Sequence, residues 1–320
     1  KMIMRNSALN QSISIIIPVH NGDKTISKCI NYCLRQVFSA TEIIVIDDAS
    51  TDNTFEICQS FGDKIKLLRN KTPQKPYKTR KLGIEHATGE WLLFIDADDY
   101  INKDALLKLA EKQAKSNADI VQMRVIRRLF HNKIAIPTKS DYNCTMALDA
   151  CLYNETLFPV QCWGKLYRKI LLDSTPIAYD GFWGEDRILN LPILIKCPKI
   201  EYAPTAVYNY TWGGNSNKYN PANLNEYKII CSLKIEFARN NNLTDKIPDI
   251  KKEMTTLLEY HVRQRINLGT YSDDENIEWL EGELKDSFWS EFKMLSAKTI
   301  YYNNKNSLSR KLKKIISRFL

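Results

Sequence analysis

The run Trp91-Leu92-Leu93-Phe94-Ile95-Asp96-Ala97-Asp98-Asp99 passes from apolar residues straight into acids. An unbroken apolar run bounded by polar residues is the pattern of a strand buried on both faces of a parallel sheet. Open parallel sheets bind their ligands beyond the carboxyl ends of their strands. Carboxylates gathered there are costly to desolvate unless something pairs with them. An oxygen-only, carboxylate-rich setting suits Mg²⁺ or Mn²⁺. The plainer alternative is that Asp96-Ala97-Asp98 caps the helix that follows. A second buried strand, Glu42 to Ile46, also ends in acids, Asp47-Asp48. Two acidic ends, at Asp47-Asp48 and Asp96-x-Asp98, expected on neighbouring strands, suit a nucleotide. One carboxylate can accept from the N3–H of uracil and another from a ribose hydroxyl. A third can hold a divalent ion that bridges a diphosphate and stabilises its charge as it departs.

The elements that must position these acids are legible in the pattern. Ser12 to Val19 reads as a strand ended by Pro18, with a turn at Asn21-Gly22. Lys24 to Val37 follows as a helix with Ile26, Ile30, Cys33, Leu34 and Val37 on one side. After Asp48, Ser50-Thr51-Asp52-Asn53-Thr54 caps a helix that runs to about Phe61, and Ile65 to Leu68 is a short strand. Asn70 to Tyr77, holding Pro73 and Pro76, reads as a loop, Thr79 to Ala87 as a helix, Asn102 to Asn117 as an amphipathic helix, and Asp119 to Ile126 as a strand. This alternation over residues 12–126 predicts an α/β sheet of mainly parallel strands flanked by helices. The middle, residues 127–215, is less regular: a hairpin at 130–137, helices at 146–153, 163–172 and 186–195, and a strand at 206–211. From Leu224 onward the pattern is helical, near 225–240, 249–268, 276–297 and 307–320. The expected division is a catalytic domain over 1–215 and a helical C-terminal region over 216–320.

Composition narrows the function classes. Hydrophobic residues make up 44% and charged residues 26%, which is ordinary for a globular protein. No apolar run is long enough to span a membrane, and Lys1 to Gln11 lacks the apolar core of a signal peptide, so a cytoplasmic location is the default expectation. The eight cysteines include no Cys-x-x-Cys pair, which argues for buried reduced thiols rather than zinc. Net charge is +9, but Lys305, Arg310, Lys311, Lys313, Lys314 and Arg318 lie in residues 301–320 without one acid. The body is thus close to balanced, and a nucleic-acid-binding surface is not indicated.

Taken in order, the segments I-I-I-P-V-H-N, I-I-V-I-D-D-A-S-T-D-N-T and A-T-G-E-W-L-L-F-I-D-A-D-D resemble glycosyltransferase family 2, inverting enzymes of the GT-A fold. Two further segments, C-W-G-K-L-Y-R-K at 162–169 and G-E-D at 184–186, resemble that family's acceptor side. The resemblance implies a GT-A, Rossmann-like mixed sheet with a nucleotide-binding half at 12–126 and an acceptor-side half at 127–215. It implies that Pro18 and Val19 line the base and ribose, Asp48 meets the uracil, Asp96 contacts the ribose or sugar, and Asp98 ligates Mn²⁺ or Mg²⁺. Asp47 is then read as structural and Asp99 as a helix cap. Thr79-Arg80-Lys81-x-Gly83 sits where the family has Ala-Arg-Asn-x-Gly; Arg80 matches and would contact the donor, whereas Lys81 departs from the pattern. The inverting reaction needs a carboxylate to take the acceptor's proton. The resemblance assigns this to Asp186, with Glu185 orienting acceptor or base. The rival is that both acids only favour a helix N-terminus.

Sugar rings stack on aromatic faces. Of the aromatics near this motif, Trp183 and Trp212 are the candidate acceptor contacts, the others serving as core. Trp212-Gly213-Gly214-Asn215-Ser216 resembles the family's mobile segment near the donor diphosphate, with Ser216 a candidate phosphate contact. In the tail, Leu308, Leu312, Ile315, Ile316, Phe319 and Leu320 share one helical face opposite the basic residues. That is the form of a helix lying on an anionic membrane. The rival is a helix packed on the body or on a second subunit, which leaves a homo-oligomer open. The expected activity is sugar transfer from a nucleotide diphosphate sugar, UDP-sugar first, to a hydroxyl of a glycan or lipid-linked glycan in surface polysaccharide synthesis. A sugar nucleotidyltransferase is the enzymatic rival; the single Gly and missing Arg in His20-Asn21-Gly22-Asp23 argue against its triphosphate loop. An inactive membrane-associated scaffold of the same fold is the other.

Overall fold

The computed structural model describes residues 11–129, 132–135, 143–154, 157–173, 179–181, 184–196, 198–211, 223–268, 271–285, 287–292 and 296–316. The chain divides into two compact units, Lys1–Asn217 and Lys218–Leu320.

In the first unit β1 (Ile13–Val19), β2 (Glu42–Asp47), β3 (Lys66–Arg69), β4 (Trp91–Phe94), β5 (Tyr100–Ile101), β6 (Ile120–Leu129), β7 (Asn132–Ala135), β8 (Lys165–Arg168) and β9 (Ile200–Thr211) form one sheet. Its order is β3-β2-β1-β4-β8-β6-β9-β5, with β7 paired to β6. The first four strands are parallel, β8 runs antiparallel to both β4 and β6, and β6 and β9 are again parallel. This is the mixed α/β sheet of a GT-A fold. β1 is buried along its length because Ile13, Ile15, Ile16 and Ile17 meet packed neighbours on both faces, all at 0% exposure. Pro18 is tolerated in this interior strand. β4 pairing stops at Ile16↔Phe94, so the missing N–H faces no ladder partner, while Val19 still accepts from Asp48 N–H. The two acidic ends are not on adjacent strands, as the nucleotide reading had them: β1 lies between β2 and β4. The strand order thus reverses at β1, and the crevice of a topological switch point opens between its end and the acids after β4.

Helices Ile26–Leu34, Thr54–Gln59, Lys75–His86 and Ala105–Ser116 follow the strands. The Lys75–His86 helix lies against β1 and β2 at Gly83, where an added Cβ would come within 2.5 Å of Ile16 Cγ2 and 3.0 Å of Ile46 Cδ1.

Several expectations are corrected. The loop expected to reach Tyr77 becomes helix from Lys75, since Pro76 stands in the first turn, where its missing N–H costs nothing. Residues 163–172 are not a helix. Gly164, at φ +68°, turns the chain into β8, and only Lys169–Leu172 is helical. Lys165, Leu166 and Tyr167 are all buried because β8 is interior, so neither period shows in the sequence. The strand expected at 206–211 begins at Ile200. Its register slips between Met123↔Ala203 and Arg124↔Val207, and Pro204 sits in that irregularity. Asp99 caps no helix, for the next one starts at Ala105.

In the second unit helices Asn223–Asn240, Ile247–Leu268, Asp273–Leu284 and Ala297–Ile316 pack around Ile230, Met254, Leu258, Val262, Leu280 and Tyr301. A capping box between Ser272 and Glu275 starts the third helix. The helix expected over 276–297 ends at Leu284, and a tight turn at Ser287–Glu291 buries Trp289 instead. Lys228 pairs with Glu283 at 2.6 Å and Lys234 with Glu253 at 2.7 Å, both lysines nearly buried. The helix expected over 307–320 begins earlier, at Ala297, and is described to Ile316, with 317–320 outside the described residues; its first half packs on this unit, where Tyr301 donates to Asp273 at 2.6 Å and Arg263 donates to Asn304 at 2.7 Å. Among the described residues no helix is long and apolar enough to cross a membrane.

Candidate active site

Arg80 is the joint of the site. It lies one turn before Gly83, so the close helix–sheet approach sets its depth, and it is 4% exposed. Its Nη2 donates to Asp96 Oδ1 and its Nη1 to Glu185 Oε1, each at 2.9 Å, and Nη1 stands 3.9 Å from Asp186 Oδ1. Only a planar, multi-donor cation can hold carboxylates from two directions in this way. Asp96 follows β4, and Glu185 and Asp186 open the Glu185–Leu194 helix. Residues far apart in sequence are thereby brought to one point. Gly184 precedes that helix at φ +70°, a left-handed turn that fits glycine and sets both acids in the first turn. Asp186 Oδ1 also accepts from Cys162 N–H at 3.0 Å.

One guanidinium serves three carboxylates, and the electrostatics follow. Burial raises the Asp96 carboxyl to about 6 against the pull of Arg80, with Asp186 and Asp98 adding to the rise. Burial and the neighbouring Asp186 raise Glu185 to about 7, again against Arg80. The site is an acidic basin short of positive charge.

Asp98 stands apart. Its carboxylate is exposed, with no side-chain partner among the described residues, and desolvation raises its pKa. No group of three or more potential ligands for a metal ion occurs among the described residues. A single free carboxylate still fits Mg²⁺ or Mn²⁺ of the kind that takes one or two protein carboxylates and completes its shell with substrate phosphates and water.

Across the crevice Asp48 is buried. Its Oδ1 accepts from Asn70 Nδ2 at 2.7 Å and Gln74 N at 2.8 Å, and its Oδ2 from Lys75 N at 3.0 Å. A carboxylate has about four lone-pair positions, so one on Oδ2 is left for a ligand. Asp47 is fully buried, accepts from Ser50 N–H and pairs with Arg69 at 3.0 Å. Pro18 and Val19 end β1 beside Asp48, and His20 Nδ1 lies 2.8 Å from the Asp48 carbonyl. Lys81 is exposed. Trp183, Trp212 and Ser216 lie outside the described residues.

Asp99 has a role that sequence reasoning missed. It is 1% exposed, accepts from Tyr208 Oη and from Thr211 N, each at 2.7 Å, and is pushed up to about 9 by burial beside Asp96 and Asp98. Tyr208 Oη in turn accepts from Asp96 N–H at 3.2 Å, so the acidic loop is tied to β9 on both sides. The signal was present in the even spacing of Tyr208 and Tyr210 on a strand, but their partner lies over a hundred residues away.

A switch-point crevice with a carboxylate loop on one side and an acid pair on the other defines a GT-A-type architecture. The solved structure of S. aureus TarS 1–349 in complex with UDP-GlcNAc has that fold: it superposes with a TM-score of 0.66 at 19% identity, covering 95% of this chain and 92% of that one. The model of glycosyl transferase family 2 matches residues 14–185, and the chain belongs to that family. Among its relatives, the poly(ribitol-phosphate) β-N-acetylglucosaminyltransferase TarS of Staphylococcus aureus is 28% identical over 204 residues, 62% of this chain and 35% of that protein. The poly(ribitol-phosphate) β-glucosyltransferase of Bacillus spizizenii is 35% identical over 206 residues, 62% of this chain and 32% of that protein. The chain thus spans about a third of the length of these relatives.

Proposed function

We propose that this protein transfers a sugar from a UDP-sugar to a hydroxyl of a glycan or lipid-linked glycan, with inversion, in the assembly of a surface polysaccharide. The observation that carries the reading is the Arg80 bridge, which joins the acid after β4 to the acid pair at 185–186 in one basin. Pro18, Val19 and the remaining lone pair of Asp48 would receive the nucleoside. Asp96, held by Arg80, would receive a ribose or sugar hydroxyl on its other oxygen. Arg80 itself is engaged by carboxylates, which supports a positioning part in donor binding. Asp186 has Oδ1 fixed by Cys162 N–H, which leaves Oδ2 to take the acceptor's proton as the glycosidic bond forms. Glu185, drawn to Arg80, orients that base. Asp98 would hold Mn²⁺ or Mg²⁺ together with the donor phosphates, and such an ion when bound neutralises charge growing on the departing diphosphate.

The relatives' named activities are N-acetylglucosaminyl and glucosyl transfer, which supports a hexose or N-acetylhexosamine as the group moved here. The sequence of residues 307–320, with apolar residues at helical spacing and basic residues between them, supports peripheral attachment to an anionic membrane surface, where a lipid-linked acceptor would be found. The test is a donor screen that follows released nucleotide diphosphate with and without Mn²⁺. Release from one UDP-hexose or UDP-N-acetylhexosamine, abolished by EDTA and by Asp98→Ala, is the expected result. Full turnover in EDTA contradicts the metal role, and no release from any nucleotide sugar contradicts the activity.

A further inference from the structure

Lys165 is buried in the interior of the sheet. It lies on β8 opposite Gln122 of β6, is 1% exposed, and has no ion-pair partner among the described residues. A buried ammonium without a carboxylate is costly. Its Nζ donates to the carbonyl of Gln161 and stands 5.1 Å from the centroid of the Phe158 ring. The Gln161 carbonyl belongs to the same peptide group as Cys162 N–H, which donates to Asp186 Oδ1 at 3.0 Å. A trans peptide is planar, with its C=O and N–H pointing in opposite directions. Ammonium, peptide and carboxylate therefore form one chain in which the positive end polarises the amide and strengthens its donation to the negative end. The neighbouring peptides are fixed too. Asn190 Nδ2 donates to Val160 O at 2.8 Å and to Asp186 O at 2.9 Å, and Tyr167 donates to Asn190 Oδ1 at 2.9 Å.

We propose that Lys165 is a positioning residue for the base: acting through the Gln161–Cys162 peptide, its ammonium pins one oxygen of Asp186 and holds the other toward the acceptor. This rests on the reading of Asp186 as the base. It also gives a reason for a lysine at a place where packing alone would favour an apolar side chain. Groups whose charge bears on Asp186 are Arg80, Glu185, Asp96, Cys162, Tyr167 and Lys165; those that bear on Lys165 are Cys162, Asp186 and Cys151. Burial lowers Lys165 to about 8, so the ammonium persists at neutral pH and is lost just above it.

The test uses the full chain and the donor found active in the screen. Lys165→Met removes charge and donor, and Lys165→Gln removes the charge alone. In both, kcat should fall by about tenfold, a part of the roughly 10²–10⁴ that a general base supplies. UDP affinity, read by calorimetry, should not change. The loss should fall on kcat while the donor KM stays within about twofold of the parent protein, and Lys165→Arg, which keeps a cation beside the Gln161 carbonyl, should recover most of it. In an Asp186→Asn background, Lys165→Met should cost nothing more. An unchanged kcat in either folded variant overturns the proposal, as does a further loss in the double variant. If neither variant folds, Lys165→Arg decides alone: kcat should stay within about threefold of the parent protein, and a loss of about tenfold or more overturns the proposal. Asp186→Asn with near-normal kcat would instead sink the base assignment itself, whereas its inactivity beside an unaffected Lys165→Met removes only the part given to Lys165.

Discussion

Among single residues Arg80 is decisive, one buried cation holding acids from two distant segments. Arg80→Met should destabilise the protein by about 3–5 kcal/mol, because it leaves buried carboxylates uncompensated; urea denaturation measures it. Arg80→Lys keeps the charge but cannot reach Asp96 and Glu185 together, so transfer should stay low even where stability partly returns. Asp99 carries a pH prediction. Its carboxyl in the folded protein lies at about 9, far above the ordinary carboxylate range, so the native state keeps a proton that the unfolded chain releases. A raised pKa of this kind gives stability that is present at low pH and lost as pH rises toward 9. Asp99→Asn should flatten that decline in a series of melting curves from pH 5 to 9; an unaltered slope would count against a protonated Asp99. The sequence showed the acids at 96, 98, 185 and 186 as chemistry, because acids at a strand end or helix start stand out against apolar neighbours. It hid that Arg80 serves carboxylates, and that the Cys162 amide donates to Asp186, since backbone donors leave no mark on residue type.

At the scale of elements the helix Lys75–His86 is the lever. Gly83 lets it lie against Ile16 and Ile46, and this approach sets the depth of Arg80. Gly83→Ala places a methyl 2.5 Å from Ile16 Cγ2. The expected cost is about 1–3 kcal/mol of overpacking, and kcat should fall more than that loss explains, because Arg80 moves outward with the helix. Stability and turnover measured on the same preparation separate the two effects. β1, β2 and β4 were legible because they are apolar on both faces and end in turn or acid signals. β8 was not, because Gly164 and Lys165 obscure a strand whose partners, β4 and β6, are decided by topology. The start of the Lys75–His86 helix was hidden by Pro76, a residue that breaks helices only away from their first turn.

At the scale of the whole molecule the sequence revealed an α/β unit followed by helices, since the switch from buried strands to helical periodicity is a composition-wide signal. It did not reveal that the tail helix starts at Ala297 and is anchored through Tyr301 and Asn304, contacts that no local period encodes. Deleting residues 307–320 should therefore leave the second unit folded while releasing the protein from anionic vesicles; unchanged sedimentation with vesicles would favour a protein partner for that end. In the proposed reaction Asp186 deprotonates the acceptor in a basin organised by Arg80. The most direct test of that step is the steady-state rate of Asp186→Asn with the active UDP-sugar and acceptor, with UDP affinity measured alongside. A fall in kcat of about 10²–10⁴ with unchanged UDP affinity is the predicted result; a kcat within a few-fold of the parent protein would contradict it.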